Sequence, residues 1–255
     1  WQAQIIPVVD FDGDEIIDSA DMCIMVDNWG TDNPLCDIGP MPWGDGIVDV
    51  KDLTVLAEHL FEEILPPELI AYWKLDEAEG DIAYNNISDN HGALSGNPTW
   101  QPDSGQVDGA LQFDGVDDCV ITPFILDPAD EQFSVFAWVK DGAPGQVILS
   151  QAGAANWLMA DSADGALRTD LKEPASTGRD PKPPGPPLIS STVVTDGNWH
   201  RVGFIRDGNS LILYMDGAEV ARDTAANLET AGGDLYIGAG SGLVTGTFWS
   251  GLIDD

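Results

Sequence analysis

The sequence predicts a mostly β protein: a jelly-roll β-sandwich that follows a small α-helical, acid-rich segment. Three observations lead there. After Tyr72 the chain breaks into short runs rich in β-forming residues, separated by Gly, Asp and Asn. Within those runs, FSVFAWVK, HRVGFIR and LILYMDG alternate apolar with polar residues, as half-buried strands do. Before residue 70 the texture differs: apolar residues fall at helical spacing, and 16 acidic side chains face one basic one, Lys51.

Charge narrows the function classes. The chain has 255 residues, with 44 acidic against 10 basic side chains and a formal net charge of -34. A nucleic-acid binder needs a basic footprint, and an anionic membrane surface attracts one, so neither partner is expected. No run of 18 uncharged apolar residues exists to span a membrane. Three cysteines are too few for a disulfide scaffold. An acidic excess in a chain that is 43% hydrophobic points to cation binding or to a solvated surface.

Taken in order, residues 1–9 (WQAQIIPVV) form an apolar extended arm in which Pro7 tolerates only an edge position. Its apolar side chains Trp1, Ile5, Ile6 and Val8 are candidates for strand addition onto a neighbouring copy, a head-to-tail contact that does not close and builds a polymer. The alternative is packing within the same chain. Residues 10–66 form the acid-rich domain. Its first loop, residues 10–21, sets Asp10, Asp12, Asp14, Asp18 and Asp21 at positions 1, 3, 5, 9 and 12, with the Ile16 carbonyl at position 7 and its side chain free to turn into the core. That offset pattern suits calcium, a hard ion taking six or more oxygens. Glu15 stands where glycine usually makes the turn. The second loop repeats the pattern in its latter half: Asp45, the Ile47 carbonyl, Asp49 and Asp52, with Gly46 at the turn. Met41 occupies the first-ligand distance, so Asp37, reached across the insert IGPMPWG, is the candidate first ligand. Helices follow each loop, over 19–29 and 50–63, the second stopped by Pro66 and Pro67. Cys23 and Cys36 either pair across the helix–loop junction or remain one surface and one buried thiol.

Residues 70–255 supply the sandwich. Strands are expected at 70–76, 110–114, 118–122, 133–140, 146–151, 157–160, 165–169, 189–195, 199–206, 210–216, 219–222, 234–238 and 247–253, with Asp-Gly turns between several of them. No strand carries the paired carboxylates that glycoside hydrolysis requires, no zinc spacing exists, and GAGSG lacks the Lys that a phosphate loop needs, so a non-enzyme is expected. Trp73, Trp138, Trp199 and Trp249 read as core by alternation. Trp43, Trp100 and Trp157 read as loop or edge residues, and Trp100 and Trp157 are the candidates for stacking on a ligand. Asn86 begins the one glycosylation sequon, Asn86-Ile87-Ser88.

Two resemblances follow from these motifs. The duplicated loop–helix arrangement over about residues 8–66, most specific in the first loop and in GDGIVDVKDL, resembles the dockerin domain. That resemblance implies two calcium ions and a cohesin partner; the face residues Ser19, Ala20, Lys51 and Asp52 lack the Ser-Thr pair of the cellulosomal class, which counts against cohesin binding. The succession IAYWKLDEAEG, NHGALSG, GALQFDGVDDCV, FSVFAWVK, DGNWHRVGFIRDG, LILYMDGAEVA and FWSGLIDD, covering residues 70–255, resembles the laminin G-like, concanavalin A-like family. It implies a non-catalytic, lectin-like binding or adhesion role toward glycan or protein. It also implies a calcium near the sandwich rim, with Asp89 and Asp254 as the matching ligands, and a secreted, extracellular or cell-surface bacterial setting. Family members continue past GLIDD with one more strand; either the chain is cut at Asp255 or the sandwich lacks its closing strand, which opens the alternative of a filament subunit.

Overall fold

The computed structural model describes residues 9, 11–12, 17–39, 44–60, 69–130, 132–176 and 181–255. The chain divides into two compact units, Trp1–Glu68 and Leu69–Asp255. The arm residues Trp1, Ile5, Ile6 and Val8 lie outside the described residues, as do Asp10, Asp14, Ile16 and Trp43.

In the first unit two nine-residue helices, α1 (Ser19–Asp27) and α2 (Val50–Glu58), start from the same device. Asp18 and Asp49 are the N-caps. Each accepts a backbone N–H two residues on, and the acid three residues on bonds back to the cap N–H. These capping boxes satisfy orphan donors that an uncapped helix leaves bare. Gly30 N donates to Val48 O and Val48 N to Thr31 O, both at 2.8 Å, tying the second loop to the end of α1. Among the described residues the core comprises Val9, Ile17, Met25, Cys36, Ile38, Val48 and Leu56.

The second unit is a two-sheet sandwich of fifteen strands: β1 (Ile82–Ala83), β2 (Gly92–Ser95), β3 (Thr99–Gln101), β4 (Ala110–Asp114), β5 (Cys119–Thr122), β6 (Phe133–Asp141), β7 (Val147–Gln151), β8 (Asn156–Ala160), β9 (Ala166–Thr169), β10 (Leu188–Val193), β11 (Trp199–Asp207), β12 (Ser210–Met215), β13 (Ala218–Thr224), β14 (Leu235–Ile237) and β15 (Ser250–Asp254). One sheet runs β1-β2-β5-β14-β7-β8-β9-β10 and the other β13-β12-β11-β6-β15-β4-β3. Every pairing among the described strands is antiparallel. Alternation sends Leu111, Phe113, Val139, Val202, Phe204, Leu213 and Ile253 inward from the seven-stranded sheet, onto Val120, Ile148, Leu158 and Ile237 of the other. Each such side chain contributes about 1.5–3 kcal/mol on burial.

The strand expected over 70–76 does not form. Leu75 takes a positive φ of 57°, which breaks the extended run, and only Trp73 bridges, to Asn85. The short strands β1, β2 and β3 lie where none was expected. Along β6, β11 pairs from Phe133 to Lys140, whereas β15 pairs only from Trp138 to Asp141. Among the described residues, the other edge of β6 over 133–137 therefore has no strand partner.

Candidate functional site

Asp21 and Asp52, the last acids of the two loops, are wholly buried. Asp21 accepts from Phe11 N (2.6 Å) and Asp18 N (2.8 Å). Asp52 accepts from Ile38 N, Gly39 N and Asp49 N, each at 2.7 Å. In both loops the last acid thus reaches back to the residue after the first acid, since Phe11 follows Asp10 and Ile38 follows Asp37. Asp37 precedes the N–H that its loop's last acid holds, as Asp10 does in the sequence of the first loop. The sequence separation is nevertheless ten residues in one case and fourteen in the other.

Asp37 folds back over its loop, accepting from Asp45 N (2.9 Å) and Gly46 N (2.7 Å). A Cβ on Gly44 would fall 2.3 Å from the Asp37 carboxylate, so only glycine leaves that acid room. Gly46 adopts a φ of +90°, the turn expected of it. Asp18 and Asp49 each give one oxygen to a helix N–H, from Ala20 and Lys51, at 2.6 and 2.7 Å. Asp45 is bonded to the Lys51 ammonium, which would compete with a cation for it. Asp12 is exposed.

Ile47, the position-7 residue of the second loop, is exposed, and the next residue, Val48, enters the core, as Ile17 does after the first loop. Ile16, whose side chain was expected to be free to turn into the core, lies outside the described residues. Of the two arrangements open to Cys23 and Cys36, the structure has the unbridged one, with Cys36 buried in the core and Cys23 exposed.

In the sandwich, Asp254 on β15 is wholly buried. Its Oδ2 accepts from Gln106 N (2.7 Å) and Val107 N (2.9 Å), while Oδ1 is buried with no hydrogen-bond partner among the described residues. Burial pushes its pKa up to about 6 in spite of those two N–H donors, and the charges of Asp255 and Asp76 push the same way. Asp76 accepts from Gly109 N at 2.7 Å. Asp255 accepts from the Tyr72 hydroxyl at 2.6 Å, and burial first, then that bond, raise Tyr72 to about 12. A Cβ on Gly105 would lie 1.8 Å from Gly109 O and 2.9 Å from Asp254 Oδ2, so the 105–109 loop closes tightly over the carboxylate. A bare buried carboxylate oxygen with two more acids around it fits a cation and fits little else.

Asp89 is not part of this group. It is exposed in the turn between β1 and β2, where its carbonyl accepts from His91 N. Asp76 is the acid that sequence matching missed; the signal was the LDE of the first sandwich motif. Asn86 is exposed in the same turn as Asp89, open to modification. Asp114, Asp117 and Asp118 bring ligand atoms within 4.8 Å of one another. Asp118 spends one oxygen on Asp114 N, which with Val116 N on Asp114 closes the β4–β5 turn, and the other on Asn97 N of the β2–β3 turn.

Three tryptophans, Trp138, Trp157 and Trp199, are placed differently from the sequence reading, Trp199 lying on the outer face opposite Lys140. Trp157 is 2% exposed in β8, whose NWLMA run is buried on both faces, so it offers no ring to solvent. Trp100 lies on β3, packs against the core and donates Nε1–H to Gly80 O at 2.9 Å. Trp138, expected in the core, faces away from it. On β6 Phe133, Val135, Ala137 and Val139 pack inward, so Ser134, Phe136, Trp138 and Lys140 form the outer row. Register places Trp199 opposite Lys140, Arg201 opposite Trp138, and Gly203 opposite Phe136, with Tyr214 beyond Gly203. A cavity of about 420 Å³ is lined by residues of both β6 faces, among them Val135, Ala137, Phe136 and Trp138, and so wraps the unpaired edge of that strand.

With this geometry in hand, comparison with known proteins is direct. The family model described as the concanavalin A-like lectin/glucanases superfamily (Laminin G 3) matches residues 114–255. The chain belongs to this superfamily. No curated protein matches it in sequence. Among solved structures, this lectin-like sandwich is similar to domain 4 of AbnA, a GH43 extracellular arabinanase from Geobacillus stearothermophilus, in complex with arabinotriose. That match has 18% identity over 73% of this chain and 89% of that one, with a TM-score of 0.46. It is also similar to Trypanosoma rangeli sialidase in complex with 2-keto-3-deoxy-D-glycero-D-galacto-2,3-difluoro-nononic acid: 16% identity, 91% of this chain, 36% of that one and a TM-score of 0.50. The same sialidase in complex with the inhibitor DANA gives 15%, 75%, 31% and 0.46. The chain spans about a third of the sialidase chains. At these identities the likeness concerns the concanavalin A-like fold alone. No helix among the described residues is long and apolar enough to cross a membrane.

Proposed function

We propose that the chain is a non-catalytic, calcium-stabilised extracellular binding module whose sandwich recognises a glycan. The observation that carries the glycan reading is the set of outward aromatics, Trp138 on β6, Trp199 on β11 and Tyr214 on β12, on the outer face of a lectin-like sheet. Flat rings on a rigid sheet present apolar area to the C–H faces of a sugar at little entropic cost. Calcium is supported by the unpartnered Asp254 Oδ1 beside Asp76 and by the matched acid loops of the first unit. Asp254 and Asp76 would hold one ion. Asp37, Asp45, Asp49 and Asp52, with the Ile47 carbonyl, would hold a second, and Asp10, Asp12, Asp14, Asp18 and Asp21 a third. The first unit is dockerin-like in this reading, folded by its ions rather than specialised for a cohesin, because Asp52 of the expected face is buried.

A glycan array probed with the calcium-loaded chain tests the reading. Binding that disappears with Trp138→Ala is the expected result, with no release of reducing ends from the bound glycan. Absence of binding to any glycan would refute it.

A further inference from the structure

The outer face of β6 and β11 is a checkerboard of two indoles and two cations. Lys140 lies opposite Trp199, and Arg201 lies opposite Trp138 in the adjacent row. Side chains directly opposite on one face are within about 5.5 Å at Cβ. The chain has only ten basic residues against 44 acidic, yet two of them stand side by side here. No carboxylate pairs with either one among the described residues. The acids nearest in register are spoken for: Asp216 accepts from His200 Nδ1–H and Arg201 N, Glu219 holds Arg222 at 2.7 Å, and Asp254 lies buried beneath the 105–109 loop. The Arg201 guanidinium is 5.1 Å from the Phe136 ring centroid, held over the sheet rather than waving from it. Phe136 can lie flat because its partner has no side chain: a Cβ on Gly203 would sit 2.3 Å from the Phe136 ring.

We infer that this face binds an anionic glycan carrying uronic acid, its rings stacked on Trp138 and Trp199 and its carboxylates held by Arg201 and Lys140. The inference rests on the glycan-binding reading and adds the ligand class and the residues that select it. Two cations with no ion-pair partner among the described residues, on a chain at -34, attract a polyanion that the rest of the surface repels. The planar guanidinium fork matches a carboxylate.

Titration calorimetry of the full calcium-loaded chain, in buffer without free calcium, tests it with a galacturonate oligosaccharide. A neutral galactose oligosaccharide and a sulfated one of equal length serve as comparisons. The galacturonate is expected to bind at least about tenfold more tightly than the neutral sugar, the size of one charge-assisted hydrogen bond. Lys140→Met and Arg201→Met are each expected to cost about tenfold and to flatten the salt dependence. Both side chains lie on the sandwich surface, so these variants keep the test decisive even where Trp138→Ala does not fold. Equal affinity for the neutral sugar, tighter binding of the sulfated one, or indifference to both cation substitutions overturns the uronate assignment while leaving glycan binding standing. If no sugar binds at all, the glycan reading itself fails.

Discussion

The two units solve the same problem with opposite materials. In the sandwich, two sheets bury a continuous apolar layer, and carboxylates stay mostly in turns. In the first unit two acids are wholly buried, each holding backbone N–H groups of its own loop. There buried carboxylates gather the loop backbone, whereas the sandwich is held by packing between its sheets. Asp254 is a sandwich acid placed like the loop acids, buried and holding loop N–H groups, but unlike theirs one of its oxygens is bare.

The sharpest way to break this contrast is to remove calcium. Chelation is expected to unfold the first unit while the sandwich stays folded at a lower Tm, seen as loss of the helical circular dichroism signal with a separate sandwich transition retained. A single unchanged transition would erase the distinction. Phe204→Ala should do the reverse. It should cost the sandwich about 3–5 kcal/mol, read from denaturant unfolding with tryptophan fluorescence, whatever the calcium level. Asp254→Asn sharpens the exception: it should lower the sandwich's Tm in calcium and remove the calcium dependence of that Tm, a loss of about 1–3 kcal/mol. The smallest effect belongs to His200. Burial pulls its pKa down, but hydrogen bonds to Asp216 (2.8 Å) and Asp196 (3.0 Å) outweigh that and leave it raised above 6.5. Protonated His200 therefore favours the folded state. Its contribution is full below about 6.5 and is lost as pH rises through the higher folded value. A decline of about 2–4 °C in sandwich Tm across that range, absent in His200→Gln, is the expected readout.

Sequence periodicity located most of the sandwich. The alternation of FSVFAWVK placed β6, and the Asp spacing of residues 10–21 and 45–52 placed both helix starts, because capping and pleat are local rules. It did not say which face of β6 was the inside. Alternation assigns two sets of residues and leaves the choice between them to whatever sheet stacks on top. Thus Trp138 read as core and stands outside, while Trp157 read as edge and is buried.

What the residues by themselves determined is the class of the fold, the acidic loops and the place of Asp37 as a candidate. Only the tertiary structure brought the residue after Asp37 onto Asp52, because a backbone N–H reached across fourteen residues has no signature in spacing. Only it brought Asp76 to Asp254 and set Lys140 and Arg201 beside two indoles, since those neighbours come from strands joined by register rather than by chain. Local propensity follows from each residue's own backbone; a binding face is made by residues that meet only after the sheets close.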